Sequence, residues 1–129
     1  MVAAPPPTVS FAHLPPGWHS YAGVGALATS WAFRPDTYGG PAGNMPKDGI
    51  IVQVFFPNVK TPLAPLRLVL PRRPATMLEG TTDTPEYRIE GSLHGRAVFV
   101  WVDIRSKRPT AAQRRAAQAA LRSIRFGGP

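Results

Sequence analysis

The stretch Tyr87 to Ile104, YRIEGSLHGRAVFVWVDI, constrains the fold more than any other part of this chain. It reads as a β-hairpin. Tyr87, Ile89 and Leu93 alternate with Arg88, Glu90 and Ser92, the two-residue period of a strand. His94-Gly95 then supplies a tight turn, because glycine takes the positive φ that such turns demand. On the return strand Val98, Val100, Val102 and Ile104 form one side, and Phe99, Trp101 and Asp103 the other. A strand with one wet face alternates more sharply than this, so both of its faces are expected to be covered.

The hairpin is followed by RPTAAQRRAAQAALRSI, where the period changes to that of a helix. Thr110 is placed to cap it, and Gln113 three residues later completes a capping box. Ala117, Ala120, Leu121 and Ile124 make the inward stripe, leaving Arg114, Arg115, Arg122 and Arg125 more exposed. Small alanines let such a helix lie close to a sheet, and Leu121 becomes its main anchor.

Strand, strand and helix need further strands to bury their apolar residues. Thr8–Leu14 is a first candidate, ended by Pro15-Pro16-Gly17, with Trp18 folding back over one end of the core. Leu27–Phe33 is a second, reached through Gly23-Val24-Gly25. Gly49–Phe56, GIIVQVFF, is a third and central one, with Ile50, Val52, Val54 and Phe56 on one side and Ile51, Gln53 and Phe55 on the other. Leu63–Leu70 is a shorter edge strand, limited by Pro62, Pro65 and Pro71. The segment between Arg34 and Gly49 reads as a long loop without a helix, and Arg72–Pro85 as another irregular connection.

Sixteen prolines and twelve glycines divide the chain into short elements, which favours a sheet over a helical bundle. The expected fold is α+β: a twisted, mainly antiparallel sheet of five or six strands with the C-terminal helix packed on one face. Residues 8–126 form one domain in this reading, between a flexible proline-rich lead-in, 1–7, and a short tail, 127–129.

No established catalytic or cofactor motif is present. With no cysteine, disulfides, thiolate metal sites and cysteine catalysis are excluded. Gly39, Gly40 and Gly43 lack the Lys-Ser/Thr pair of a phosphate-binding loop and open no dinucleotide-binding pattern. His13, His19 and His94 lack the HExxH spacing; a composite site of His13, His19 and Asp36 is the one metal arrangement to weigh against ordinary surface roles. The serines have no nucleophile elbow. Glu86 and Glu90 share a strand face across Arg88, which reads as solvent-facing charge compensation. We therefore assign no catalytic, metal or cofactor-binding residue.

Two surfaces remain as candidates. Fifteen basic residues against seven acidic ones give a formal charge of +8, which attracts anionic polymers at long range. Arg72, Arg73, Arg105, Lys107, Arg108, Arg114 and Arg115 are the candidate polyanion-binding set, since arginine pairs bidentately with phosphate or carboxylate. The second candidate is apolar: Ile51, Phe55, Phe99 and Trp101, as a ligand face or an interface. The partners this leaves open are an unidentified protein, a small apolar ligand, an anionic polymer or a second copy of the chain. No run approaches the roughly 18 to 20 apolar residues that span a bilayer. Localisation stays open between the cytoplasm and an exported, envelope-associated setting reached by way of a signal or anchor upstream of Met1.

The segments FAHLPPGW, DGIIVQVFF, and GRAVFVWVDI followed by AQAALRSIRF occur in an order that resembles small actinobacterial exported or lipoprotein domains of the broad Mog1/PsbP-like class. That resemblance implies a twisted antiparallel sheet packed by helices and a noncatalytic envelope or accessory binding role. It transfers no binding residue, because no functional motif of the class matches. The expected function is thus a noncatalytic binding or interaction domain. A nucleic-acid or other polyanion-binding module, a small hydrolase and a self-associating subunit are the alternatives.

Overall fold

The computed structural model describes residues 7–23, 25–32, 40–60 and 62–127. Its elements in chain order are β1 (Thr8–Phe11), β2 (His19–Gly23), β3 (Gly25–Thr29), α1 (Gly40–Gly43), β4 (Ile50–Phe55), β5 (Thr76–Met77), β6 (Pro85–Leu93), β7 (Arg96–Ile104), α2 (Ala111–Arg122) and β8 (Ile124–Gly127). Six strands form an antiparallel sheet in the order β2-β3-β4-β7-β6-β5, and β1 pairs with β8 in a separate two-stranded sheet. The fold is α+β with α2 packed against β4, as the sequence pattern predicts.

The β6–β7 hairpin closes through the two residues expected. Leu93 pairs with Arg96, and His94 and Gly95 both adopt positive φ, 50° and 78°. Positive φ at both central positions is the type I′ requirement, whose twist matches that of the flanking strands.

One face of the main sheet carries the core. Val52, Val54, Val98, Val100, Val102 and Ile104 are fully buried there, against Ala117, Ala120 and Leu121 of α2. Val9 and Phe11 of β1 and Phe126 of β8 pack on the same cluster, as does Trp18. The cap forms in full: the Thr110 hydroxyl accepts from the Gln113 N–H at 3.1 Å, and the Gln113 side chain accepts from the Thr110 N–H at 2.8 Å.

Several elements depart from the sequence expectations. Gly40–Gly43 forms one helical turn where a helix-free loop was expected. Strand β2 is absent from the sequence reading, because His19-Ser20-Tyr21-Ala22-Gly23 offers a single large apolar side chain. The helix stops at Arg122, with Ser123 as its C-cap, and Ile124 reaches the core from β8 rather than from the helical stripe.

Leu63–Leu70 is not a strand; apart from one parallel bridge between Pro65 and Ser92 it lies across the core as an extended segment. Its backbone is satisfied at one end by Ser92 of β6 and at the other by a side chain, not by a continuous ladder. Gln118 of α2 accepts from the Leu70 N–H at 2.8 Å and donates to the Leu68 carbonyl at 2.9 Å. Phe33, residues 1–6 of the lead-in and residues 128 and 129 of the tail lie outside the described residues.

The segment crosses β6 at Gly91, where a Cβ would sit 2.6 Å from the Leu66 Cα. Two stability effects follow from this packing. Leu121→Ala, at a fully buried position, is expected to lose about 2 to 5 kcal/mol of unfolding free energy. Gly91→Ala forces backbone against backbone and is expected to cost about 1 to 3 kcal/mol. Urea titration measures both; a change below about 0.5 kcal/mol at either site contradicts the packing described.

Candidate functional site: the open face of the sheet

Side chains on the sheet face opposite α2 form a grid set by register. Across β4, β7 and β6 its rows are Phe55–Phe99–Glu90, Gln53–Trp101–Arg88 and Ile51–Asp103–Glu86. Alternation in three adjacent strands places these nine residues on one side.

The first two rows are partly exposed and aromatic. Phe55 meets Phe99 edge-on with centroids 5.7 Å apart, and Trp101 edge-on at 4.8 Å. Such geometry sets the positive ring edge against the negative face. The Arg88 guanidinium lies 4.4 Å from the Trp101 ring centre and pairs with Glu86 at 2.9 Å. Phe55, Phe99 and Trp101 are all half-buried, so the expectation of full cover on both faces of β7 is met on the α2 side alone among the described residues.

The third row is closed off. Ile51, Asp103 and Glu86 are 2, 5 and 3% exposed. Arg105 ties the surrounding loops together here: its Nε contacts the Asp83 carboxylate at 3.3 Å and its Nη1 donates to the Met45 carbonyl. Thr84, by its hydroxyl, and then Arg105 hold the Asp83 carboxyl below its ordinary range against a smaller opposing effect of desolvation. A pocket of about 520 Å³ opens beside this anchor, lined in part by Met45, Thr81 and Asp83. Its arginine is already engaged by protein groups.

Glu86 is therefore a correction to the sequence reading. It does not face solvent but shares a buried site with Asp103. Burial, with the adjacent Glu86 carboxyl, pushes the Asp103 carboxyl up to about 8, and Arg88 opposes this only in part. Asp103 Oδ1 and Trp101 Nε1 are buried without a hydrogen-bond partner among the described residues. The available signal was an aspartate between Val102 and Ile104 in an otherwise apolar strand.

Of the apolar candidates, Phe55, Phe99 and Trp101 lie together on the open rows, while Ile51 lies in the buried row. The basic candidates divide. Arg72 and Arg73 are brought to α2, because Arg114 Nη2 donates to the Pro71 carbonyl at 2.8 Å. Arg115 is exposed on the adjoining flank of α2, Lys107 and Arg108 are exposed in the β7–α2 connection, and Arg105 is held by Asp83. His13, His19 and His94 are exposed. No group of three potential metal ligands forms among the described residues, and Asp36 lies outside them. None of the described helices is long and apolar enough to cross a membrane. No protein-family model, curated protein or solved structure matches the chain.

The carboxyl pair sets a pH dependence whose sign is fixed. Below about pH 4 the Asp103 proton is held in folded and unfolded chains alike. Between the ordinary value of 3.8 and about 8 only the folded chain holds it, so unfolding releases a proton and stability falls as pH rises. Above about 8 this contribution to the slope ends. Asp103→Asn, which keeps a donor toward Glu86 and carries no charge, is expected to flatten the decline across that window and to raise stability at its upper end. Denaturation midpoints measured from pH 4 to 9 test this; equal slopes in both proteins refute the assignment.

Proposed function

We propose that this chain is a noncatalytic binding domain that recognises its partner through the open face of the six-stranded sheet. The carrying observation is the cluster of Phe55, Phe99 and Trp101, partly exposed on the central strands β4 and β7, with Arg88 stacked at its edge. Aromatic rings held by neighbouring strands lose little conformational freedom when a partner lands on them, and arginine adds a directional polar contact. The complementary partner presents an apolar group to the three rings and a carboxylate or π-face to Arg88. An envelope setting and kinship with the Mog1/PsbP-like class belong to the same proposal. The order of elements, an antiparallel sheet followed by a packed helix near the C-terminus, supports them.

A second reading has its own support. Along β6 the open face presents Arg88 and Glu90, opposite in sign. A two-fold contact between two such faces sets Arg88 of one copy near Glu90 of the other, the self-complementarity that an isologous dimer needs.

Light scattering over a range of concentrations, combined with titration of the apolar dye anilinonaphthalene sulfonate, separates the two. For a partner-binding face the expected result is a monomer that binds the dye saturably and loses about tenfold in affinity in Phe55→Ser/Phe99→Ser, with circular dichroism unchanged. A concentration-dependent dimer dissolved by the same substitutions selects self-association. A monomer without saturable dye binding rejects both.

A further inference from the structure

The opposite side of the molecule carries a different surface. The extended segment at residues 66–73 is fastened along α2 by Gln118 and Arg114, with Leu70 turned into the core. Its outward side chains are Arg67, Val69, Arg72 and Arg73. On the adjoining flank of α2, Arg115 and Arg122 are seven residues apart, two helical turns, and so project from the same side. Arg114, held against Pro71 and 5.4 Å from the Tyr87 ring centre, joins the two groups.

Arg67, Arg72, Arg73, Arg115 and Arg122 have no carboxylate partner among the described residues. Of the described acidic residues, Glu79, Asp83, Glu86, Glu90 and Asp103 lie instead on β6, β7 or the connection leading into β6, and Asp48 accepts from Gln113 Nε2 at the N-terminal end of α2. Among the described residues the uncompensated arginines are thus concentrated on the segment 66–73 and the adjoining flank of α2. Between Arg67 and Arg72, Val69 is 58% exposed, the most exposed of the large apolar side chains among the described residues.

From this arrangement we infer that the α2 side is a docking surface for a bilayer rich in anionic lipid. Arginines there meet the headgroup phosphates, and Val69 enters the interfacial layer between them. The exposed valine separates this occupant from a nucleic acid. An aliphatic side chain adds nothing to a phosphodiester backbone, and the aromatic stacking platforms that single strands use lie on the other face of the sheet.

The test is co-sedimentation with mixed phosphatidylglycerol–phosphatidylcholine vesicles, with pure phosphatidylcholine vesicles and duplex DNA as comparisons. Binding is expected to the mixed vesicles alone, weakening as salt is raised. Each arginine near an anionic surface contributes roughly a fivefold factor, so Arg72→Gln/Arg73→Gln is expected to weaken partitioning by about 10- to 30-fold. Lys47→Gln/Lys60→Gln removes the same charge elsewhere and is expected to stay within about twofold of the parent on the same scale. Val69→Ser is expected to weaken vesicle binding about threefold, on the order of a partly inserted side chain. Equal binding to neutral vesicles, equal losses from both double substitutions, no effect of Val69→Ser, or tighter binding to DNA than to vesicles each overturns the inference.

Discussion

The structure depends on the closing of the sheet's core face, with α2 packed against β4 and the inward side chains of β7 buried in the same cluster. Val98, Val100, Val102 and Ile104 of β7 lose all solvent contact on that side, and Ile50, Val52 and Val54 of β4 continue the stripe beside them. Burying such side chains is worth roughly 1.5 to 3 kcal/mol each, so this single contact outweighs any hydrogen bond or ion pair in the molecule. Alanines at 117 and 120 let the helix approach closely, and Gln118 then reaches the extended segment beside it. The position of Arg72 and Arg73 is thus a consequence of how α2 packs.

Using one face so completely leaves the other to different physics. Its central positions on β7 hold Phe99, Trp101 and Asp103, whose surroundings grade from half-exposed to buried along the strand. A carboxyl at the buried end is tolerated because it keeps its proton beside Glu86, and Glu86 in turn has Arg88. The cost to stability accumulates as pH rises from about 4 to about 8, the window in which only the folded chain holds that proton. Arg88 consequently serves both ends of the grid, compensating a buried carboxylate on one side and stacking on an aromatic ring on the other.

What was legible in the sequence was local. The hairpin, its His94-Gly95 turn and the Thr110–Gln113 cap all rest on residues within a few positions of one another, where period and turn chemistry decide. The aromatic trio followed from the same two-residue period in β4 and β7. What escaped depends on distant partners. Ile124 continues the spacing of α2, and only pairing with β1, where Phe11 meets Ile124, draws it into a strand. Leu66, Leu68 and Leu70 alternate as a strand should, yet the groups that satisfy their segment are Gln118 and Ser92. Glu86 looked solvated because alternation identifies a face without saying which loops close over its end.

The net charge of +8 is equally uninformative until it is placed. Averaged over the surface, it promotes weak contact with any polyanion. Segregated, it gives the molecule one side where cations stand without counterions and another where carboxylates, aromatic rings and a single stacked arginine are interleaved. The two surfaces meet solvent on opposite sides of the sheet, where mobile ions screen exposed charges beyond roughly 10 Å at moderate salt, so each side largely feels its own charges. Neutralising arginines on the α2 flank therefore leaves the open face electrostatically intact. The same screening lets a bound anionic surface on one side coexist with an acidic or apolar partner on the other.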